Sequence, residues 1–142
     1  MEAYETGRGF SVAKGASLTV AGGKLTGFST ANLPGPAISC AGNLTITGGS
    51  VTDNAYTGKA DSGVIRVNSE DSVVTITGGT FTENAGYIGG VMNIEKAKSM
   101  LVRDVAFEKN QAAINGGAIV VELCPELTLQ NVTFRGNHAG TY

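Results

Sequence analysis

The chain of 142 residues contains no tryptophan, one histidine, two cysteines and three prolines, and only 15% of its residues are charged. Its net charge of −2 comes from 12 acidic and 10 basic residues, and the basic residues form no run and no stripe interleaved with aromatics. Nucleic-acid-binding domains carry such a basic patch. The sequence therefore predicts a protein that does not bind nucleic acid.

The single histidine, His138, limits the chemistry of the chain. Zinc sites combine several histidine and cysteine ligands, and no second histidine or nearby cysteine accompanies His138 in its repeat. A nucleophile–histidine–aspartate arrangement has no other histidine on which to be built. We therefore predict no metal site, no cofactor and no catalytic residue.

Long apolar runs are also missing. No stretch approaches the roughly 18 apolar residues of a membrane span, and the first ten residues, MEAYETGRGF, lack the apolar core of a signal peptide. We expect no membrane span in this chain. If the parent protein is exported, its signal is not part of this sequence.

A fixed period runs through the sequence. Apolar residues recur at intervals of 27 residues in GPAISC, SGVIRV, GGVMNI and GGAIVV, at Ile38, Ile65, Met92 and Ile119. Glycine supplies 21 residues without a collagen triplet, which suits many short strands and tight turns. A period this short indicates one structural unit that is repeated and stacked.

A second set of residues follows nearly the same period. Blocks such as LTITGGSVTDN and VTITGGTFTEN end on an asparagine, with a large apolar residue three positions earlier. Stacking of the repeats predicts an amide ladder at a corner and an aromatic column inside, which are structural rather than catalytic features. The asparagines are Asn54, Asn84, Asn110 and Asn137, and the aromatic residues are Phe81, Phe107 and Phe134.

Each repeat predicts three short strands, for example at residues 44–46, 50–52 and 65–67. Period-2 alternation marks the first of these, and Gly48 and Gly49 place a bend before the second. No segment shows a sustained helical period. We predict an all-β, right-handed parallel β-helix of about five coils of about 27 residues, with residues 1–142 as a single domain.

The two cysteines should be free. Cys40 and Cys124 are 84 residues apart, which corresponds to about three coils, or roughly 14 Å at a strand spacing of about 4.8 Å. A disulfide needs Cα atoms within about 7 Å. The predicted thiols leave the redox compartment undetermined.

The paired motifs GGA[I/V/L] and FxxN resemble the repeats of the polymorphic outer membrane proteins of chlamydiae and related bacterial surface proteins. The match covers about residues 35–142 and rests on GGAI at 116–119, GGVM at 89–92 and the blocks FTEN, FEKN and FRGN. Earlier repeats depart from it, since GPAI and SGVI lack the double glycine and Val51 replaces phenylalanine. The resemblance implies an exported adhesin passenger, located at the cell surface or secreted, with a host or cell-surface protein or glycan as partner.

The last five residues, 138–142, stand where the pattern places the next GGAI strand. We therefore expect a fragment of a longer array. An uncovered last coil leaves a strand edge available for pairing, so we also expect end-to-end self-association of the isolated chain.

Outward positions of the third strand form the candidate binding surface. Glu95 and Glu122 are one period apart, so stacking places them about 5 Å apart, the separation of a retaining glycosidase pair or a weak calcium site. This spacing supports an alternative function, a carbohydrate-active β-helix enzyme acting as a polysaccharide lyase or hydrolase. Two exposed glutamates are the simpler interpretation, since tryptophan platforms are absent. The candidate binding residues are Arg66, Asn68, Asn93, Glu95 and Glu122.

Two further surfaces carry weaker signals. The loop at residues 55–62 is the longest and is a suitable place for a grafted binding function. Outward threonines at 45–47 and 75–77 suggest ice binding, but Arg103 interrupts the row, and outward threonine is ordinary in strands. The sequence therefore favours a non-enzymatic surface or secreted segment that acts as an adhesin passenger or rigid spacer.

Overall fold

The computed structural model describes residues 9–28, 36–56 and 63–140, and all regular structure within these ranges is β. The strands are β1 (Phe10–Val12), β2 (Ser17–Val20), β3 (Lys24–Thr26), β4 (Ile38–Cys40), β5 (Asn43–Ile46), β6 (Ser50–Thr52), β7 (Ile65–Asn68), β8 (Val73–Ile76), β9 (Thr80–Thr82), β10 (Ala85–Ile88), β11 (Met92–Lys96), β12 (Ser99–Glu108), β13 (Gln111–Asn115), β14 (Ile119–Leu123), β15 (Glu126–Arg135) and β16 (His138–Ala139).

Strands of successive coils pair in parallel and form three sheets along the solenoid. Sheet I contains β1, β4, β7, β11 and β14, and its register aligns Ile38, Ile65, Met92 and Ile119 in one column. These are the residues that recur every 27 positions in the sequence. The predicted parallel β-solenoid with about 27 residues per coil is therefore confirmed, with four ladder steps in this sheet.

Sheet II has two arms that meet at a bend. Strands β2, β5 and β8 belong to the first arm and β3, β6 and β9 to the second, whereas β12 and β15 run through both. The bend residues have left-handed backbone angles, with φ of 86° at Gly49, 55° at Asp104 and 51° at Asn131. Glycine, asparagine and aspartate tolerate these angles best, which is why the sequence predicts the bend at these positions.

Sheet III, formed by β10, β13 and β16, follows the asparagine corner and was not predicted from the sequence. Five of its eleven residues are alanine or glycine, and its register aligns Ala85 with Gln111 and Gly86 with Ala112. A strand without alternating large apolar residues carries no period-2 signal. An isolated bridge between Ala55 and Ala85 continues this face toward the second coil.

Columns of one residue per coil fill the interior. The rings of Phe81 and Phe107 stack with centroids 4.9 Å apart, and those of Phe107 and Phe134 stack at 5.2 Å. Phe81 is 1% exposed and Phe107 is fully buried. Burial of one such ring contributes about 1.5–3 kcal/mol, so the aromatic column is a main source of stability.

Candidate functional site

Four asparagines form a continuous hydrogen-bonded ladder at the corner between sheets II and III. At each step, Oδ1 of one asparagine accepts from both the backbone N–H and Nδ2 of the asparagine one coil earlier. Asn110 Oδ1 accepts both bonds from Asn84 at 3.0 Å, and Asn137 Oδ1 accepts from Asn110 at 3.0 and 2.9 Å. Asn54 begins the ladder by donating to Asn84 Oδ1 at 3.3 and 3.0 Å.

The ladder amides also satisfy carbonyl groups of the neighbouring coil. Nδ2 of Asn84 donates to Val51 O at 2.8 Å, and Nδ2 of Asn110 donates to Phe81 O at 2.9 Å. Both asparagines are at most 1% exposed, so water does not reach these carbonyls. The ladder therefore closes the corner and joins the coils, so these asparagines have a structural role.

The residue before each ladder asparagine makes the turn itself. Asp53, Glu83 and Lys109 have φ angles of 55°, 57° and 54°, in the left-handed region. The sequence pattern assigned this corner to the asparagines. In the structure, the preceding residue changes the direction of the chain, and the asparagine side chain stabilises the turn through its hydrogen bonds.

The outward surface of sheet I carries a two-pronged ion pair between Arg66 and Glu95. Arg66 Nη2 donates to Glu95 Oε2 at 2.9 Å, and Arg66 Nε donates to Oε1. The register of β7 with β11 shifts between Ile94 and Lys96, which leaves Glu95 as the extra residue of a bulge. Such two-pronged, charge-assisted pairs are strong and fix both side chains.

The other predicted surface residues are placed differently from one another. Glu122 lies one coil beyond Glu95 in the pairing of β11 with β14 and is exposed, whereas the carboxylate of Glu95 is bound to Arg66. Asn93 adjoins Arg66 in the register and is 0% exposed, so it is not part of the accessible surface. The five predicted residues therefore do not share one binding surface.

Arg66 and Asn68 line a groove of about 250 Å³ on sheet I, together with the hydroxyl residues Ser11 and Ser39. The register aligns Ser11 with Ser39 and Ser39 with Arg66, so two hydroxyl groups and a guanidinium form one row. Small-molecule sites usually enclose about 300–1,000 Å³. This groove suits a small polar group, such as part of a sugar ring or a carboxylate.

Both cysteines are free, as predicted. Cys40 is 3% exposed, its Sγ donates to Gly42 O at 3.3 Å, and burial raises the pKa of its thiol. Cys124 is half-buried in the last coil. Within the ranges that the structure describes, no group of three histidine, cysteine, aspartate or glutamate side chains is placed to hold a metal ion.

The row of outward threonines on sheet II is interrupted. The register aligns Thr19, Thr45 and Thr75 but places Leu101 on the next rung. Arg103 occupies the adjacent outward row of the same strand and is exposed. A flat threonine face therefore spans only three coils.

The candidate loop at residues 55–62 is described in part. Ala55 and Tyr56 are described, and Tyr56 is 3% exposed with its backbone N–H donating to Ala85 O at 2.7 Å. Residues 57–62, on which the predicted binding function falls, are outside the described ranges.

Several apolar side chains are exposed on the last coil, at positions that the sequence period marks as core. Leu127, Leu129 and Phe134 are 44%, 49% and 48% exposed. Sequence reasoning missed this surface as a specific site, because a repeat pattern assigns the same environment to every coil. The related prediction from the sequence was end-to-end self-association through an uncovered strand edge.

Comparisons of the chain with protein-family models, with curated proteins and with solved structures gave no match. In the described ranges, no helix is long and apolar enough to cross a membrane.

Proposed function

We propose that this chain is a rigid, non-enzymatic segment of a cell-surface or secreted protein, serving as an adhesin passenger or as a spacer. The observation that carries the proposal is the asparagine ladder, whose buried amides join successive coils. A ladder of this kind fixes the coil spacing along the solenoid. A domain whose most regular polar residues serve the scaffold is suited to holding other groups at a fixed distance.

The repeat motifs support membership of the same family as the polymorphic outer membrane proteins. The phenylalanines of the FxxN blocks stack on one another, and their asparagines form the ladder. The motif residues thus have one coherent scaffold role. This role accounts for their recurrence without requiring a catalytic site.

The groove on sheet I is the place where we propose contact with a glycan or protein of a host or other cell surface. Its guanidinium is held by Glu95, so Arg66 is positioned before a ligand arrives. Positioning of this kind lowers the entropy cost of binding. Ser39 and Asn68 add hydrogen-bonding groups beside it.

The state of Glu95 favours the non-enzymatic function over a carbohydrate-active enzyme. A glycosidase nucleophile or general acid needs a carboxyl group that reaches the substrate. Both carboxylate oxygens of Glu95 accept hydrogen bonds from Arg66. The carboxylate that a catalytic pair of Glu95 and Glu122 would need is therefore already engaged in an ion pair.

The decisive experiment measures binding of the bead-coupled 142-residue chain to a panel of glycans and to cells. We expect wild type to bind and the double variant Arg66→Ala/Asn68→Ala to lose that binding. The control double variant Lys24→Ala/Thr26→Ala, on sheet II, should keep it.

Absence of binding by all three proteins would leave the spacer function. Cleavage of an acidic polysaccharide by wild type, lost in Glu95→Gln with Glu122→Gln, would overturn the proposal.

A further inference from the structure

The groove on sheet I is centred on strands that are paired on both sides. Ser39 belongs to β4, Arg66 and Asn68 belong to β7, and Glu95 belongs to β11, and each of these strands has one neighbour on either side in the sheet. The exposure of this surface is therefore a property of complete coils. The bulge between β7 and β11, rather than the repeat, brings the carboxylate of Glu95 to Arg66.

Arg66 is the only charged residue among the described residues that line the groove. Its guanidinium donates two hydrogen bonds to the carboxylate of Glu95, whose side chain is 18% exposed. The two charges cancel, and because Glu95 is largely shielded from water, salt and solvent screen the pair only in part. A ligand in the groove therefore meets a hydrogen-bond donor whose positive charge is already balanced.

This balance works against an acidic ligand. A carboxylate bound to Arg66 would share the guanidinium with Glu95, which brings two negative charges to one cation. Like charges brought together on binding oppose association, and a cation that is already paired compensates poorly for the water that the incoming carboxylate loses. The groove volume of about 250 Å³ admits part of a sugar ring or a carboxylate, so charge rather than size separates the two.

The other polar groups of the groove match neutral hydroxyl groups. Ser11, Ser39 and Asn68 can each donate and accept hydrogen bonds, as a sugar hydroxyl does. Ala13 and Ala41 lie beside them in the lining. Protein partners are held mainly by large aromatic or arginine anchors in well-packed pockets. A lining of serine, alanine and asparagine favours a sugar instead.

We propose that this groove binds a neutral sugar unit and that Glu95 sets this specificity by balancing the charge of Arg66. The inference rests on the glycan contact proposed above and names the class of glycan. Glu95 is then a positioning residue, because it holds the guanidinium in place and keeps uronic and other acidic sugar units away from it.

Oligosaccharides that differ in one group test the proposal. The bead-coupled 142-residue chain is offered galactose and galacturonic acid oligomers, in which a carboxylate replaces the hydroxymethyl group of each neutral sugar, with glucose and mannose pairs of the same kind alongside. Wild type should bind at least one neutral oligomer about tenfold or more tightly than its acidic counterpart. In Glu95→Gln, the side chain keeps its shape but loses its charge, so binding of acidic oligomers should rise about tenfold or more and weaken as salt is added.

Two further variants assign the effect. The double variant Arg66→Gln/Glu95→Gln should lose the acquired binding of acidic oligomers, because the cation is gone. Glu108→Gln is the matched control, since Glu108 also lies near an arginine one coil along, 3.5 Å from Arg135, but on sheet II. It should keep the wild-type preference. The preference of wild type needs no variant, so it tests the proposal whatever the stability of Glu95→Gln.

The outcomes separate the specificity from the contact itself. A wild type that prefers acidic oligomers, or a folded Glu95→Gln that keeps the wild-type preference, would overturn the specificity and leave the proposed glycan contact in place. A wild type that binds no oligomer of either class would overturn the contact and the inference together. Binding to cells that persists after periodate oxidation of their surface glycans would indicate a protein partner and would also overturn the inference.

Discussion

Strands β12 and β15 are ten-residue strands one coil apart with matching registers and very different surroundings. Phe107 and Phe134 occupy the same position, yet Phe107 is fully buried and Phe134 is 48% exposed. Val102 and Leu129 show the same contrast, at 0% and 49%. The difference arises because β12 has strands on both sides, whereas among the described strands β15 has one on a single side.

The contrast shows that stability in this fold is a property of neighbouring coils rather than of one coil. In a solenoid, the core of each repeat packs against its two neighbours, so an end repeat loses about half of its stabilising contacts. The sequence pattern assigns both coils the same core. Matched substitutions in β12 and β15 therefore measure what the second neighbour contributes.

The largest effect is expected from Phe107→Ala. Its ring stacks on Phe81 and on Phe134, so its loss leaves a cavity between two coils and should cost about 3–5 kcal/mol of unfolding free energy. Phe134→Ala removes a half-exposed ring with one stacking neighbour and should cost about 1 kcal/mol. Urea unfolding followed by circular dichroism measures both. Equal losses would contradict the comparison and indicate that the last coil is covered in solution.

The next effect is expected from Asn110→Ala. The substitution leaves the backbone N–H of Asn84 and the carbonyl of Phe81 without their partner and removes one of the acceptors of Asn84 Nδ2, in a region that water does not reach. Unfolding free energy should fall by about 2–4 kcal/mol. Asn137→Ala is the matched control, and since Asn137 is half-buried, water replaces part of what is lost and the cost should be about 1 kcal/mol. A ladder that tolerates both substitutions equally would not be the support that we describe.

The sequence predicted the columns and the bends because they repeat. Ile38, Phe107 and Asn110 hold the same register positions as their copies, and Asp104 adopts the left-handed angle for which the sequence marked it. The arrangement of Glu95 did not follow from the period, because one inserted residue in a bulge changes which side chains meet.

Sheet III and the burial of Asn93 were hidden for other physical reasons. Small residues such as Ala85 and Gly86 give no alternation that marks a strand. Asn93 lies at an outward position of its strand, and its burial depends on what packs over the sheet, which strand periodicity does not describe. The surroundings of a repeated unit, unlike its register, are set by tertiary contacts.

The two thiols extend the comparison to reactivity. Cys40 belongs to the second coil, where burial raises its pKa and limits access, whereas Cys124 is half-buried in the last coil. We expect Cys124 to react with Ellman's reagent at least about tenfold faster than Cys40 in the folded protein, because the thiolate is the reacting form. Cys124→Ser should remove the fast phase, and denaturant should make both thiols reactive. A fast phase that persists in Cys124→Ser would show that the thiol of Cys40 is accessible, and would contradict the expected difference between the two coils.

The smallest effect is expected from the exposed ion pair of Lys14 with Asp71, whose charged atoms are 2.7 Å apart. Lys14 belongs to the first coil and Asp71 to the third, and the turn between them contains Gly42, where a Cβ would stand 2.2 Å from Ala16 O. The intervening turn therefore passes close to the first coil and carries no long side chain. This contact joins coils that are not neighbours, but both partners are more than 60% exposed, so water and salt weaken it.

The pH dependence of this pair has a definite sign. Lys14 lowers the pKa of Asp71 below its ordinary value of 3.8, so the carboxylate adds stability above that pH and loses it as the pH falls through the folded pKa. Asp71 raises the pKa of Lys14 above 10.5, so the ammonium adds stability below that pH and loses it as the pH rises through the folded pKa. In Lys14→Gln, we expect the carboxyl of Asp71 to titrate closer to its ordinary value by NMR, with a smaller change in unfolding midpoint than any core variant. Lys24→Gln on the same coil should leave that titration unchanged, and an unmoved Asp71 in Lys14→Gln would show that the pair does not persist in solution.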